Sequence, residues 1–112
     1  MIYKILPRAA WDEALTVGRY AGSPLDRADG FIHFSASDQA RETAAKHFAG
    51  QTDLVVLTVD TAPLGAALRW EPSRGGALFP HLYGPLDCNL VADVRAAPLG
   101  EDGVPVLGEL AA

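Results

Sequence analysis

The sequence GFIHFS, residues 30–35, predicts a short apolar strand that runs directly into the start of a helix. Side chains alternate along a strand, so His33 and Ser35 share one face with Phe31 and lie about 7 Å apart. Ser35 and Asp38 have the spacing of a helix capping box. The start of a helix offers free backbone N–H groups that can bind phosphate or carboxylate. The segment therefore predicts an imidazole and a hydroxyl at a strand-to-helix junction suited to a ligand.

Helix and strand patterns alternate on both sides of this segment. Upstream, residues 2–6 form a strand that Pro7 stops, and a helix runs from Pro7 to Gly18. Residues 19–29 contain Gly, Pro and charges without periodicity and are predicted to form a loop. Downstream, the pattern predicts a helix that ends at Gly50, a buried strand at 53–60 and strands at 67–71 and 89–95. Two helices in the N-terminal half and about five strands predict an α+β fold.

The chain has the length of one domain. Its 112 residues divide into a single α+β domain at 1–96 and a Gly/Pro-rich acidic tail at 97–112. The tail has few residues that could hold it against the domain. No pattern in the sequence indicates an oligomeric state.

Composition excludes several classes of function. Nine Lys and Arg residues against 14 Asp and Glu give a net charge of −5, so binding of a long nucleic acid is not expected. No apolar run approaches the ~20 residues that span a bilayer, and the first residues lack the apolar stretch of a signal peptide. The single cysteine, Cys88, excludes an internal disulfide and fits a cytoplasmic protein. The three histidines have no recognised metal-ligand spacing, so no metal is expected.

A second candidate segment is FPHLYGP, residues 79–85. Pro80 holds Phe79 extended, so that His81 and Tyr83 point the same way. Such a stiff aromatic ledge can stack on a flat ring and hydrogen-bond to its substituents. The alternative is that these rings plug the end of a sheet.

The third segment is Arg69-Trp70-Glu71, where alternation places Arg69 and Glu71 on one face. This pair is either a solvated ion pair or part of a site. His33 has a similar alternative, since a buried histidine can be satisfied by a backbone carbonyl. Cys88 is predicted as a small, partly buried side chain rather than a nucleophile.

Together, these segments resemble a family of small bacterial proteins known as domain of unknown function 952. The resemblance covers about residues 2–95, and its motifs occur in the family's order. They are the opening strand with Pro-Arg-x-x-Trp at 7–11, Gly-Phe-Ile-His-x-Ser at 30–35, Gln39, Asp53-Leu54, Arg69-Trp70-Glu71 and Phe-Pro-His-Leu-Tyr-Gly-Pro-Leu at 79–86.

A strand reading x-His-x-Ser before a helix is also similar to the ADP-ribosyltransferase superfamily, most closely to its tRNA 2′-phosphotransferase branch. That resemblance implies a core of two small sheets with NAD bound in the cleft between them. His33 and Ser35 would bind ribose or phosphate, and Glu71 would be the late-strand acid. Lys4 stands on the first strand, where the superfamily often has His or Arg, and could bind phosphate.

The resemblance therefore implies a small-molecule nucleotide as the partner, with NAD as a possible substrate. His33 and Glu71 are the predicted catalytic residues, while Phe79, His81 and Tyr83 would stack on or orient the nicotinamide. Two other functions stay open. One is a nucleotide- or small-molecule-binding module without turnover, and the other is an NAD-independent hydrolase with His33 or His81 as general base.

Overall fold

The computed structural model describes residues 1–73 and 75–112, and it confirms an α+β fold. In chain order its strands are β1 (Ile2–Pro7), β2 (Arg19–Tyr20), β3 (Ile32–His33), β4 (Ser35–Ala36), β5 (Leu54–Val59), β6 (Leu68–Ser73), β7 (Ala77–Leu82), β8 (Leu86–Asp87) and β9 (Val91–Ala96). The α-helices of the described residues are α1 (Arg8–Val17), α2 (Pro24–Asp29) and α3 (Ala40–His47). Short 3-10 helices cover Ala62–Ala67 and Cys88–Leu90.

The larger sheet has the order β4-β1-β5-β9, and all of its pairs are antiparallel. One of its two inner strands is β5, whose six residues LVVLTV are all buried. A continuous apolar run is what a strand covered on both faces requires. Helix α3 and the C-terminal segment pack on one face, while α1 and the smaller sheets pack on the other.

The second sheet has the order β3-β7-β6, also antiparallel, and β2 pairs separately with β8. Strand β7 includes Pro80, which has no N–H to donate, although it lies in the middle of its sheet. Its carbonyl still accepts a hydrogen bond from the backbone N–H of Phe34, at 3.0 Å. The segment that the sequence describes as a ledge is therefore largely a central strand.

GFIHFS is not one strand running into a helix. Residues Ile32–His33 pair with β7 in the smaller sheet, whereas Ser35–Ala36 pair with β1 in the larger one. The chain crosses between the two sheets at Phe34. Helix α3 begins only at Ala40, and its N-cap Gln39 makes no side-chain cap, so the expected capping box after Ser35 is absent.

The predicted loop at 19–29 contains a helix, so the N-terminal half has three α-helices rather than two. Ser23 caps α2 in a capping box with Asp26, Pro24 occupies its first turn, and Gly30 ends it in a left-handed conformation. A six-residue helix is too short to show periodicity, and only its caps mark it in the sequence.

The C-terminal residues pack against the larger sheet instead of hanging free. Ala97 and Leu107 are buried with Tyr3 and the α3 helix. Tyr3 donates its hydroxyl to the carbonyl of Ala111 at 2.5 Å, and Arg41 donates to the carbonyl of Gly108. Side chains of the domain thus hold this segment by its backbone carbonyls, although its Gly and Pro content predicts little packing.

None of the helices in residues 1–73 and 75–112 is long and apolar enough to cross a membrane.

Candidate functional site

Asp26 is the centre of a buried polar network that the sequence did not point to. Its residue is only 2% exposed. The carboxylate accepts hydrogen bonds from the Ser23 backbone N–H at 2.8 Å, the His33 backbone N–H at 3.1 Å and the Lys4 ammonium at 3.0 and 3.2 Å. Burial raises the pKa of this carboxyl group, but the Lys4 charge and these hydrogen bonds outweigh it and leave the pKa below its usual range. Asp26 is therefore an ionised, acceptor-only group.

Lys4 lies on the inner face of β1, between Ile2 and Leu6 in the alternation of the strand. Its side chain is 10% exposed. Burial lowers the pKa of the ammonium group, against the opposing effect of the Asp26 carboxylate. An ammonium has three N–H donors, and Asp26 engages part of that capacity.

His33 lies between two carboxylates. Its Nδ1 is 2.6 Å from Asp26 Oδ1, and its Nε2 is 3.0 Å from Asp29 Oδ2. Asp29 is exposed at the end of α2, whereas Asp26 is enclosed. The two partners of this imidazole therefore differ strongly in their access to water.

A second imidazole–carboxylate pair lies on the smaller sheet. His81 is buried on β7, and its Nδ1 is 2.9 Å from Glu71 Oε1 on β6. The same oxygen accepts the Tyr83 hydroxyl at 2.7 Å. The Tyr83 and His81 hydrogen bonds lower the pKa of Glu71, while the Glu71 bond raises the pKa of Tyr83. Glu71 is thus hydrogen-bonded to the buried His81 and the exposed Tyr83. Arg69 instead places its guanidinium 4.7 Å from the centre of the Tyr83 ring.

Phe31 joins the two pairs. Its ring is 4.5 Å from the His33 ring, 4.1 Å from the His81 ring in a stacked arrangement, and 5.3 Å from the Tyr83 ring, between centroids. The His33 and His81 rings are 5.4 Å apart, edge to face. The sequence predicted Phe31 on the same face as His33 but assigned it no role.

A cavity of about 780 Å³ opens between the larger sheet and the smaller one. Five of the seven predicted site residues are among those that line it: Lys4, His33, Ser35, Phe79 and His81. Glu71 and Tyr83 are not in the lining; Glu71 contacts the lining residue His81, and Tyr83 contacts Glu71. Asp26 and Arg27 line the cavity from α2 and Ser23 from its N-cap, in the segment predicted to be a loop.

The remaining predicted residues are placed as follows. Ser35 is buried on β4, and its hydroxyl is 2.8 Å from the Thr43 hydroxyl on α3. Phe79 is buried on β7 and points to the same side as His81. Cys88 donates its thiol to the carbonyl of Ala14 at 3.5 Å, and burial raises the pKa of the thiol, as a structural side chain requires.

No group of three or more His, Cys, Asp or Glu side chains in the described part of the chain is arranged to hold a metal ion. His33 contacts the carboxylates of Asp26 and Asp29, and His81 contacts the carboxylate of Glu71. Their chemistry is that of hydrogen bonding and proton exchange.

Residues 5–94 match the family described as "Protein of unknown function (DUF952)". The chain belongs to this family. It is similar to protein CC0527 from the bacterium Caulobacter crescentus, with 59% sequence identity. The crystal structure of CC0527 superposes with a TM-score of 0.93, and the match covers 96% of this chain and 94% of the CC0527 chain. The solution NMR structure of CC0527 gives 59% identity over 93% and 90% of the two chains, with a TM-score of 0.85. No match was found among curated proteins.

The family match confirms the resemblance expected from the sequence. The Pro-Arg-x-x-Trp, Gly-Phe-Ile-His-x-Ser and Arg-Trp-Glu motifs all fall in or at the edge of the matched range. Trp11 lies in the core and His33 and Ser35 line the cavity, whereas Arg69-Trp70-Glu71 reaches the cavity lining through the Glu71–His81 hydrogen bond. Neither the family description nor the CC0527 structures assign an activity.

Proposed function

We propose that the cavity binds NAD or a related nucleotide, and that the domain is an ADP-ribosyltransferase-like or NAD-glycohydrolase-like enzyme. One observation carries the proposal. Side chains from β1, β3, β4 and β7, which belong to two different sheets, line a single cavity, and the Glu71 carboxylate is hydrogen-bonded to one of them. The ADP-ribosyltransferase resemblance implies a nucleotide cleft between two small sheets.

The dimensions and chemistry of the cavity support a nucleotide. Small-molecule sites have volumes of roughly 300–1,000 Å³, with mostly apolar walls and a few placed polar groups. This cavity has about 780 Å³, with Phe79 and Tyr20 among its aromatic walls and Lys4 and Arg27 among its cations. Such a lining suits a molecule with flat rings and phosphates.

The ring cluster beside the cavity supports a nicotinamide position. The rings of Phe31, His81 and Tyr83 pack against one another there. A nicotinamide ring that joined them would gain about 0.5–1.5 kcal/mol per aromatic contact beyond burial. His33 and Ser35 would contact the ribose, with Ser35 exchanging its bond to Thr43. Lys4 would direct its remaining donor capacity to a phosphate oxygen.

Glu71 would supply the electrostatic part of the reaction. The nicotinamide–ribose C–N bond breaks with its electron pair leaving on the nicotinamide nitrogen, and positive charge develops on the ribose. A carboxylate near that ring stabilises the charge and holds a ribose hydroxyl, as in glycoside cleavage. The acceptor then bonds to the anomeric carbon and loses its proton. His81 and Tyr83 both hydrogen-bond to Glu71 Oε1, and Oε2 would hold the ribose hydroxyl.

A second function, a nucleotide-binding module without turnover, is favoured by the partners of Lys4 and Glu71. Lys4 already pairs with Asp26, and one Glu71 oxygen already accepts two hydrogen bonds. A site in which the charged groups neutralise one another can hold a ligand without stabilising a transition state.

The test uses the purified protein with NAD, ADP-ribose and AMP, followed by NMR, and with NAD alone for nicotinamide release. We expect shifts at His33, Ser35, His81 and Tyr83, and nicotinamide release that Glu71→Gln slows with little loss of NAD binding. Glu101 carries an exposed carboxylate in the C-terminal segment, so Glu101→Gln is the matched control and should change neither nicotinamide release nor NAD binding.

Three outcomes separate the possibilities. Binding with no nicotinamide release in the wild-type protein supports the module without turnover. Absence of shifts with all three nucleotides contradicts both forms of the proposal. Turnover of simple esters or phosphoesters with NAD absent would instead support a hydrolase that uses His33 or His81 as its base.

A further inference from the structure

The carboxylate of Asp26 has its hydrogen-bonding capacity filled. A carboxylate offers about four lone-pair positions on two oxygens. Oδ1 faces the His33 backbone N–H, His33 Nδ1 and Lys4 Nζ, and Oδ2 faces Lys4 Nζ and the Ser23 backbone N–H. A helix cap alone needs only the contact with Ser23. The additional contacts connect α2 to β1 and β3, and they are unnecessary for starting a six-residue helix.

These contacts require that Nδ1 of the His33 ring carries a proton. Asp26 is ionised and can only accept, so the 2.6 Å contact requires a proton on Nδ1. The His33 backbone N–H donates to the same oxygen at 3.1 Å. Main chain and ring are thus held by one atom, which fixes the orientation of the imidazole.

The other nitrogen of the ring has a partner that can be exchanged. Nε2 faces Asp29 Oδ2 at 3.0 Å, and the Asp29 side chain is 44% exposed. Two ionised carboxylates can both be partners only when His33 carries both protons. In the neutral ring, Nε2 has a lone pair and releases Asp29. Solvent-exposed pairs of this kind contribute only about 0–1 kcal/mol, so a ligand can replace Asp29 at small cost.

We infer that Asp26 is the positioning residue of this site and holds His33 protonated at Nδ1. Nε2 then accepts a hydrogen bond from a ligand hydroxyl, which replaces Asp29 as its partner. The ligand class follows from this geometry. It is a molecule that donates a hydroxyl group, such as the ribose of a nucleotide, and not a molecule that presents a carboxylate or a cation to Nε2. The identity of the ligand rests on the proposed function, whereas the state of the His33 ring does not.

The experiment compares His33 ring ¹⁵N signals, assigned by a His33→Gln reference spectrum, in the wild-type protein and three variants. Asp26→Asn should shift the proton from Nδ1 towards Nε2, because an asparagine NH₂ can donate to Nδ1. Asp29→Asn should leave the Nδ1 proton in place. Ser23→Ala removes the hydroxyl that accepts the Asp26 backbone N–H but keeps the Asp26 carboxylate, so it should also leave the ring unchanged.

If Ser23→Ala alters the His33 ring signals as much as Asp26→Asn does, Asp26 acts only as part of the helix cap and the inference is overturned. An unchanged His33 ring in Asp26→Asn would overturn it as well. Because Asp26→Asn leaves the Lys4 ammonium without its counter-charge, the double variant Lys4→Met/Asp26→Asn, which also removes that ammonium, provides a second comparison. Its His33 ring should show the same altered state as the ring in Asp26→Asn.

A titration with ADP-ribose tests the ligand. We expect binding about tenfold weaker in Asp26→Asn, the loss typical of one hydrogen bond to a charged group. Asp29→Asn should bind as well as the wild-type protein or more tightly, because it removes a competitor for Nε2. Equal weakening in both variants would overturn the distinction between the two aspartates. If ADP-ribose binds to none of them while the ring signals behave as expected, the proposed function fails and the positioning role of Asp26 stands.

Discussion

The two imidazole–carboxylate pairs beside the cavity are built in opposite ways. In the Asp26–His33 pair the carboxylate is enclosed, at 2% exposure, and the imidazole is 29% exposed. In the Glu71–His81 pair the imidazole is enclosed, at 5%, and the carboxylate is 33% exposed. Each pair therefore presents a different member to water.

The difference shows what each pair can do. A buried carboxylate with a buried ammonium beside it is a fixed structural charge, and its histidine is the part that can meet a ligand. An accessible carboxylate on a buried histidine is itself the group that can meet a ligand. His33 and Glu71, the two residues predicted as catalytic, are the accessible members of the two pairs.

The largest expected effect comes from removing the buried carboxylate. Asp26→Ala leaves the Lys4 ammonium buried without a partner, and breaking a buried pair in this way costs about 3–5 kcal/mol of unfolding free energy. Urea unfolding followed by circular dichroism measures it. Glu71→Ala is the comparison and should be much less destabilising, because its carboxylate is open to water. Equal losses in the two variants would contradict the asymmetry between the pairs.

The second-largest effect on the unfolding free energy is expected where Gly22 approaches Asp26. Gly22 is buried with φ of +106°, and a Cβ there would lie 2.8 Å from Asp26 Cβ. Gly18, with φ of +97°, has open space where its Cβ would be. Gly18→Ala should therefore cost only the left-handed backbone, about 1–2 kcal/mol. Gly22→Ala should add about 1–3 kcal/mol for overpacking.

Thermal or urea unfolding of both variants measures the difference, and His33 ring signals should change only in Gly22→Ala. If the two alanine variants unfold alike, Asp26 can move away without cost, and its position is less constrained than the hydrogen bonds indicate.

Much of this architecture could be predicted from local sequence. The apolar run of β5 and the helix between Pro7 and Gly18 depend on patterns that span six residues or more. Alternation correctly predicted that His81 and Tyr83 point the same way, and both contact the same oxygen of Glu71. Such features could be predicted because they depend on periodicity within one element.

Asp26 could not be found in the same way, because its partners lie 22 and 7 residues away in sequence, on β1 and β3. The only local signal was Ser23-Pro24-Leu25-Asp26 followed by Gly30, which marks a short capped helix. Even that signal predicts a cap and no site. The crossing of residues 30–35 between sheets was missed for a related reason, since which strand pairs with which is not encoded in alternation.

Acid should lower the unfolding free energy of the protein by protonating the buried Asp26 carboxylate. The folded-state pKa of Asp26 is depressed, so its contribution to stability is fully present above the ordinary aspartate value of about 3.9 and is lost as the pH falls through the folded-state pKa. Melting temperature measured from pH 7 to 3 should fall at the acid end in the wild-type protein and less so in Asp26→Asn. Glu71→Gln should retain most of the acid dependence, because water screens its carboxylate. A steeper change in slope for Glu71→Gln would reverse the assignment of the buried charge.

The smallest effect is confined to the exposed carboxylate. The Tyr83 hydroxyl is the main cause of the lowered pKa of Glu71, so Tyr83→Phe should raise that pKa towards its ordinary value and change the unfolding free energy little. Carboxyl ¹³C shifts of Glu71 followed through an acid titration measure the change, and the Asp26 signal should not move. Arg69→Gln removes a charge that has a lesser effect on Glu71, so its shift should be smaller than that of Tyr83→Phe. A Glu71 pKa that stays low in Tyr83→Phe would mean that His81 alone holds the carboxylate, and the accessible member of this pair would then be tied to its histidine as firmly as Asp26 is.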